Sequence, residues 1–280
     1  MLLLAPALAD AAEKLRVVAT FSILADMART VGGERVDVHA LIGADSSAHG
    51  WQPSPADARA LAAARLVIIN GLGFEAWIDR LAGPSGFSGE LLVASRGVQP
   101  ITSSGMETDP HAWLDLSNAD HYIGNIANVL AALDPAGKNT YFGNASRYKK
   151  VALELDAEIR KTFSAIPRAR RKAITTHDAF AYFARAYGID FISPSNIAAS
   201  EPSARDIGRI IRLIRSEKIP AVFLENISGQ RALERIRGES GAKIGGTLYS
   251  DSLSGKDGPA ATYLNMMRHN AATVARALAD

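Results

Sequence analysis

Short runs of consecutive apolar residues alternate along this chain with longer stretches in which apolar positions recur every three or four residues. A short continuous run reads as a strand buried on both faces, and the longer period as an amphipathic helix. Their alternation predicts an α/β fold with mostly parallel sheets. In the first half the apolar runs lie at 15–20, 36–41, 66–70 and 91–95, with helical patterns near 22–31, 54–64 and 75–82. In the second half the runs lie at 172–176, 189–193, 221–225 and 242–248, with helical patterns near 179–187, 203–218, 229–240 and 259–279. Ser54-Pro55 is a helix start, serine as cap and proline at the first helical position. Gly188 marks a helix stop, and Asn70-Gly71 a tight turn after a strand.

Between the halves the pattern is helical almost without a break. One helix covers 117–133 and stops at Asp134-Pro135; a second runs over 135–163, where Val151, Leu155, Ile159 and Phe163 recur every four residues. At 1.5 Å per residue the second helix is roughly 45 Å long. Its poverty in Gly, Ser and Pro predicts a rigid strut between two lobes, not a flexible linker. The expected division is an apolar leader remnant at 1–9, an N-terminal α/β lobe at 10–134, a connecting helix at 135–164 and a C-terminal α/β lobe at 165–280.

Composition narrows the chemistry. The formal charge of +2 over 280 residues gives no strong field toward nucleic acid or a membrane surface. The short basic stretch at 168–172 reads as a solvated helix end or loop. There is no cysteine, which removes thiolate zinc sites, disulfide scaffolds and cysteine nucleophiles together. The first nine residues end in Ala7-Leu8-Ala9, a small-x-small cleavage pattern, and are too short to span a bilayer. They point to export and a mature start near Asp10.

Four residues at strand ends carry the candidate chemistry. His49 lies in Ser47-Ala48-His49-Gly50-Trp51-Gln52-Pro53, His111 in Asp109-Pro110-His111-Ala112-Trp113, His177 in Thr175-Thr176-His177-Asp178, and Asp251 in Tyr249-Ser250-Asp251-Ser252. Three imidazoles and one carboxylate make a tetrahedral donor set for a borderline-soft divalent metal, zinc first. Parallel sheets bind ligands at the carboxyl ends of their strands. Two of the four residues belong to each half, so a cleft between lobes is the expected place. Without Asp251, three histidines would leave an open position, as in a zinc hydrolase. No H-E-x-x-H, general base or nucleophile elbow accompanies them. His39, His121 and His269 read as structural. Asp115, Asp178 and Glu225 are candidate acceptors for the second ring nitrogens, and Trp51 and Trp113 flank the ligands. Gly71-Leu72-Gly73 and Gly245-Gly246 fit no phosphate-loop fingerprint.

These motifs, in this order, resemble the metal-binding solute-binding proteins of bacterial ABC importers, the zinc and manganese group (cluster A-I). The resemblance covers nearly the whole mature chain. Val17-Val18-Ala19-Thr20-Phe21-Ser22 looks like the family's opening strand, and His49-Gly50-Trp51-Gln52-Pro53 like its first ligand motif. Asp109-Pro110-His111-Ala112-Trp113-Leu114-Asp115 matches the second, and His177-Asp178-Ala179-Phe180 the third. Glu201-Pro202-Ser203-Ala204 and Phe223-Leu224-Glu225-Asn226 look like later family segments. The resemblance implies two α/β lobes joined by a long helix. It also implies one metal held by His49, His111, His177 and Asp251, and a monomeric periplasmic carrier that delivers it to a membrane permease. Manganese members usually carry glutamate at the third position; His177 is similar to the zinc branch, most of all to AztC-type proteins. A manganese or iron carrier on the same scaffold is the alternative. Zinc members often carry a long His-rich loop before the second motif. Here that stretch is only residues 102–110, with no histidine, so zinc acquisition, including receipt from a periplasmic metallochaperone, is expected to suffer more than zinc retention. Release is expected to work by movement of the Ser-rich loop that carries Asp251.

Overall fold

The computed structural model describes residues 13–48, 51–102, 108–194, 203–217, 219, 221–227 and 230–279. The predicted leader at 1–9, His49 and most of the 102–110 loop lie outside them. The first lobe is a four-stranded parallel sheet in the order β2-β1-β3-β4. Its strands are β1 (Leu15–Phe21), β2 (Val36–Ile42), β3 (Leu66–Ile69) and β4 (Glu90–Val93). Around it pack α1 (Ser22–Gly32), α2 (Pro55–Ala63) and α3 (Ile78–Ser85). The central strands are short, apolar and covered on both faces, with Val17 to Phe21 buried and Leu66, Val67 and Ile68 without accessible surface; the edge strands β2 and β4 expose Asp37, His39, Glu90 and Leu91.

A small hairpin, β5 (Ile101–Thr102) and β6 (Thr108–Asp109), leads to His111. Sequence periodicity missed it, because two residues per strand carry no period. Next come α4 (Ala119–Leu133) and the long helix α5 (Lys138–Ser164). The second lobe repeats the plan with β7 (Lys172–Ile174), α6 (Ala181–Tyr187), β8 (Asp190–Ile192), α7 (Ala204–Glu217), β9 (Ala221–Glu225), α8 (Gln230–Ser240), β10 (Lys243–Leu248) and α9 (Tyr263–Ala279). Its sheet is also parallel, in the order β10-β9-β7-β8. Strand order reverses between β1 and β3 in one sheet and between β7 and β9 in the other, the points where such sheets open a crevice at their carboxyl ends.

Two boundaries shift from their predicted places for local reasons. Helix α3 starts at Ile78, not near 75, because Gly71, Leu72 and Gly73 are all left-handed and turn the chain first. At Gly71 a side chain would also strike Val93, its would-be Cβ falling 2.5 Å from a valine methyl. Helix α9 starts at Tyr263, not near 259, and its first amide donates to Asp26 of α1 at 2.8 Å. Ser54 caps α2 through a capping box with Asp57, as its motif predicts.

The long helix has 27 residues and is about 40 Å long. It is embedded, packing on α1 and α4 of the first lobe and on α6 and α9 of the second. A single apolar core runs from Val17 and Phe21 through Trp113, Tyr141 and Phe163 to Phe183, Tyr263 and Val274. A smaller isoleucine cluster lies in the second lobe, formed by Ile174 and Val222 with Ile207, Ile210, Ile211 and Ile214 of α7. Partly buried polar joints tie both halves of α5 to its neighbours. Asp134 accepts two hydrogen bonds from the Arg35 guanidinium, at 2.7 and 3.0 Å, and one from Tyr141 at 2.6 Å. Asp156 accepts from Arg160 at 2.7 Å and from Tyr187 of α6 at 3.0 Å.

The Arg35 guanidinium holds the Asp134 carboxyl down at about 2, below its ordinary 3.8. A depressed carboxyl pKa stabilises the fold above the unfolded value, and that stabilisation is lost as pH falls through the folded one. Asp134→Asn should therefore cost about 1–2 kcal/mol at pH 7, the pair being partly exposed and screened. That corresponds to a fall in Tm of roughly 2–6 °C. In thermal melts the two proteins should converge as pH falls from about 4 toward 2; an equal gap at pH 2 would show that the ion pair is not the source.

Candidate metal centre

The site is built at the carboxyl ends of both sheets. Residues 175–177 continue from β7, and Glu225 ends the neighbouring strand β9 across the switch point. Adjacency lets one carboxylate reach the next strand's backbone. Glu225 Oε1 accepts from Thr176 N at 2.9 Å and His177 N at 3.0 Å, and from the Thr176 hydroxyl. Its other oxygen lies 2.8 Å from His177 Nδ1. The first lobe uses the same joint between β1 and β3: Glu75 accepts from Thr20 Oγ1 at 2.7 Å, Asn70 N at 2.7 Å and Gly71 N at 3.0 Å. Asn70 in turn donates to Pro110 O at 2.9 Å, which fixes the segment leading into His111.

His111 is held by an Asx turn. Asp109 Oδ1 accepts from the His111 backbone N–H at 2.9 Å and lies 2.7 Å from the ring Nδ1. Both rings thus turn Nδ1 toward a carboxylate and Nε2 inward. The inward face is closed by Asp251, whose Oδ1 is 3.2 Å from His111 Nε2 and whose Oδ2 is 3.7 Å from His177 Nε2. The ring centroids are 5.4 Å apart. One potential ligand atom from each of His111, His177 and Asp251 falls within 4.8 Å of the others, and all three residues are fully buried. The structure thus brings together three of the four predicted ligands, two from the second lobe and one from the first.

Burial alone would favour neutral imidazoles, but the carboxylates outweigh it. Asp251 and Asp109 raise His111 to about 10, and Glu225 and Asp251 raise His177 above its ordinary value. Glu225 is lowered: burial pushes it up, but His177 and the Thr176 hydroxyl pull it down further. The surrounding carboxylates thus favour positive charge on both rings. A divalent cation bound to both Nε2 atoms would face the same carboxylate.

The predicted ring acceptors are corrected in part. Glu225 does brace His177. Asp115 instead accepts from Ser117 N at 2.9 Å and faces Arg185 at 3.4 Å. Asp178 is half-buried, its carboxyl raised by burial and by Asp109. The acceptor for His111 is Asp109, legible in the Asp-x-His spacing as an Asx turn. Trp113 is fully buried against Phe21 and Phe74, and its indole donates to Ser250 O at 2.8 Å. Trp51 is half-buried and packs tilted against Trp77, ring centroids 4.5 Å apart. His39 and His121 are exposed, and His269 ties α9 to Thr247 O at 2.9 Å.

The Asp251 loop, expected to move on release, is packed and tied in this structure. Ser250, Asp251 and Ser252 have no accessible surface. The loop is tied to the first lobe by Trp113, and Leu253 N donates to Ser22 Oγ at 3.0 Å.

A family profile described as "ZnuA: Zinc-uptake complex component A periplasmic" matches residues 17–277. The chain belongs to this family. ZnuA-family proteins are the metal-binding, extracytoplasmic substrate-binding components of ABC importers, so this chain is a binding protein and not an enzyme, which removes the hydrolase reading. It is 34% identical to the iron-binding protein YfeA of Yersinia pestis over 95% of this chain and 87% of that protein. It is 30% identical to the manganese-binding lipoprotein MntA of Halalkalibacterium halodurans over 96% and 90% of the two chains. The periplasmic zinc-binding protein TroA of Treponema pallidum superposes with a TM-score of 0.90 at 28% identity, over 95% of this chain and 99% of that one. This ZnuA-family member therefore has the two-lobed fold with a long helix, and a transition metal ion is its transported ligand. Among the described residues no helix is long and apolar enough to cross a membrane.

Proposed function

We propose that this chain is the zinc carrier of an ABC importer, holding Zn2+ on His111, His177 and Asp251, with His49 as the fourth ligand, and handing it to the membrane permease. The observation that carries the choice of metal is His177. An imidazole braced by Glu225 stands at the third position, and nitrogen donors favour zinc over manganese, which prefers oxygen. The zinc-binding protein TroA shares the fold, and the zinc, AztC-type branch of the family rests in this reading on the histidine at the third position. In this reading residues 10–134 and 165–280 are the two lobes, 135–164 joins them, and residues 1–9 are removed on export. The carrier acts as a monomer in the periplasm, where a metallochaperone could load it.

The names of YfeA and MntA favour the second reading, iron or manganese cargo on the same scaffold. Competition decides between them. The chain is equilibrated with equal concentrations of Zn2+, Mn2+ and Fe2+ under reducing, oxygen-free conditions, and its metal content is measured after dialysis. One zinc per chain is expected, with His177→Glu losing zinc affinity and gaining manganese. Manganese or iron retained by the unmodified chain would overturn the zinc assignment.

A further inference from the structure

The rim of the cleft is tied by a side chain outside the ligand motifs. Asp45 lies in the loop after β2, exposed, with a left-handed backbone at φ 52°. Its amide donates to Leu253 O at 2.9 Å. Its Oδ2 accepts from Gly255 N at 2.9 Å and its Oδ1 from Asn226 Nδ2 at 3.2 Å. All three contacts cross from the first lobe to the second. Leu253 and Gly255 follow Asp251 in its loop, and Asn226 follows Glu225. Asn226 Nδ2 also donates to Ser252 Oγ at 2.9 Å, so one residue grips both segments that position the centre. The ties on the Asp251 loop from Ser22 and Trp113 are buried, whereas the Asp45 carboxylate contacts sit at the solvent boundary.

We propose that Asp45 is a retention clasp, a positioning residue that sets how fast bound metal leaves without touching it. The proposal rests on the metal-centre reading above. Departure of the ion requires the segment around Asp251 to yield, and the Asp45 contacts are the outermost that must break. Entry is not limited by them if the loop is already open when metal arrives, so the clasp acts on the off-rate.

The test uses the full chain loaded with zinc and chased with excess chelator, after its metal content has been measured. Asp45→Gly keeps the left-handed backbone and the amide contact and removes only the carboxylate. Asp45→Asn tolerates the same backbone and keeps one acceptor. The glycine variant should release zinc about five- to tenfold faster, the asparagine variant by an intermediate factor, each with an on-rate unchanged within about twofold. Asn226→Ala should resemble the glycine variant. The metal-free melting temperature of Asp45→Gly should stay within about 2 °C of the parent, which separates a clasp from general loosening. One zinc per chain with an unchanged off-rate in Asp45→Gly would overturn the clasp and leave the centre intact. A change confined to the on-rate would overturn it as well. If the parent chain holds no zinc, the centre falls, and the clasp with it.

Discussion

His111→Ala should weaken zinc binding by a factor on the order of 100–1,000. Structural four-ligand zinc sites are worth about 10–16 kcal/mol in apparent binding free energy, and one ligand in four is a quarter of that, or two to three decades in Kd. Among the described residues proposed as ligands, His111 is tightly constrained: its ring is fixed by Asp109, packed edge-on to Phe74 and Trp113, and fully buried. No neighbour can move into the space left by alanine. Asp251→Ala should cost less, because it leaves both braced rings in place and water can supply the oxygen donor. Chelator-competition titrations on both variants check this ranking, and equal losses would contradict it. The pH dependence follows from the same geometry. His111 is raised to about 10, so metal-free protein carries a proton there at neutral pH that zinc must displace. Affinity should therefore increase with pH up to about 10, with the His111 proton released on binding. The stability of the metal-free chain should run the other way. The raised imidazole pKa contributes fully below the unfolded value of about 6.5, and that contribution is lost as pH rises toward 10. Calorimetric titrations in buffers of different ionisation enthalpy report the proton count.

Glu225→Ala should be the most damaging change outside the ligands. It leaves the amides of Thr176 and His177 without an acceptor, removes the carboxylate beside a buried ring, and opens a space at the switch point of the sheet. Breaking a buried pair of this kind costs about 3–5 kcal/mol. Removing a partner that orients a ligand histidine usually costs 10–100-fold in metal affinity. Glu225→Gln separates the two effects. Its carbonyl can still accept from the two amides, so most stability should survive. Its NH2 group would then face His177 Nδ1, turning that nitrogen into the acceptor and placing the proton on Nε2, the nitrogen that faces Asp251. Zinc affinity should therefore fall in Glu225→Gln even where denaturant melts are close to the parent. Parent-like zinc affinity in that variant would show that the tautomer is not set here.

Much of this was legible in the chain. The central strands β1, β3, β7 and β9 announce themselves as buried apolar runs, because strands covered on both faces need no polar alternation, while the edge strand β2 alternates through exposed Asp37 and His39. His111, His177 and Asp251 were legible as loop residues after such strands, since parallel sheets place their loops there. Glu225 was legible as a strand-end acid. Its partner was not, because pairing depends on β9 lying next to β7, a matter of strand order. Asp109 was passed over in favour of Asp115, although its spacing to His111 carried the signal of a local turn. The hold on the Asp251 loop was the least legible feature. Its serines suggest freedom, while the contacts that hold it closed come from Trp113 and Ser22, 137 and 231 residues away in sequence.

The continuous core and the paired helices have one more consequence. Helix α5 lies along both lobes, and α9 begins on Asp26 of the first and packs against β10 of the second. Swinging the lobes apart would peel Tyr263, Trp113 and Phe163 from a shared interior, exposing several large rings to water at once. That motion costs far more than breaking a few contacts at the cleft rim. The molecule is therefore less like a book that opens on its spine than like a padlock with a fixed body and a sliding shackle. A membrane partner that unloads it need only work on the small loops at one end, and can leave the body of the carrier as it found it.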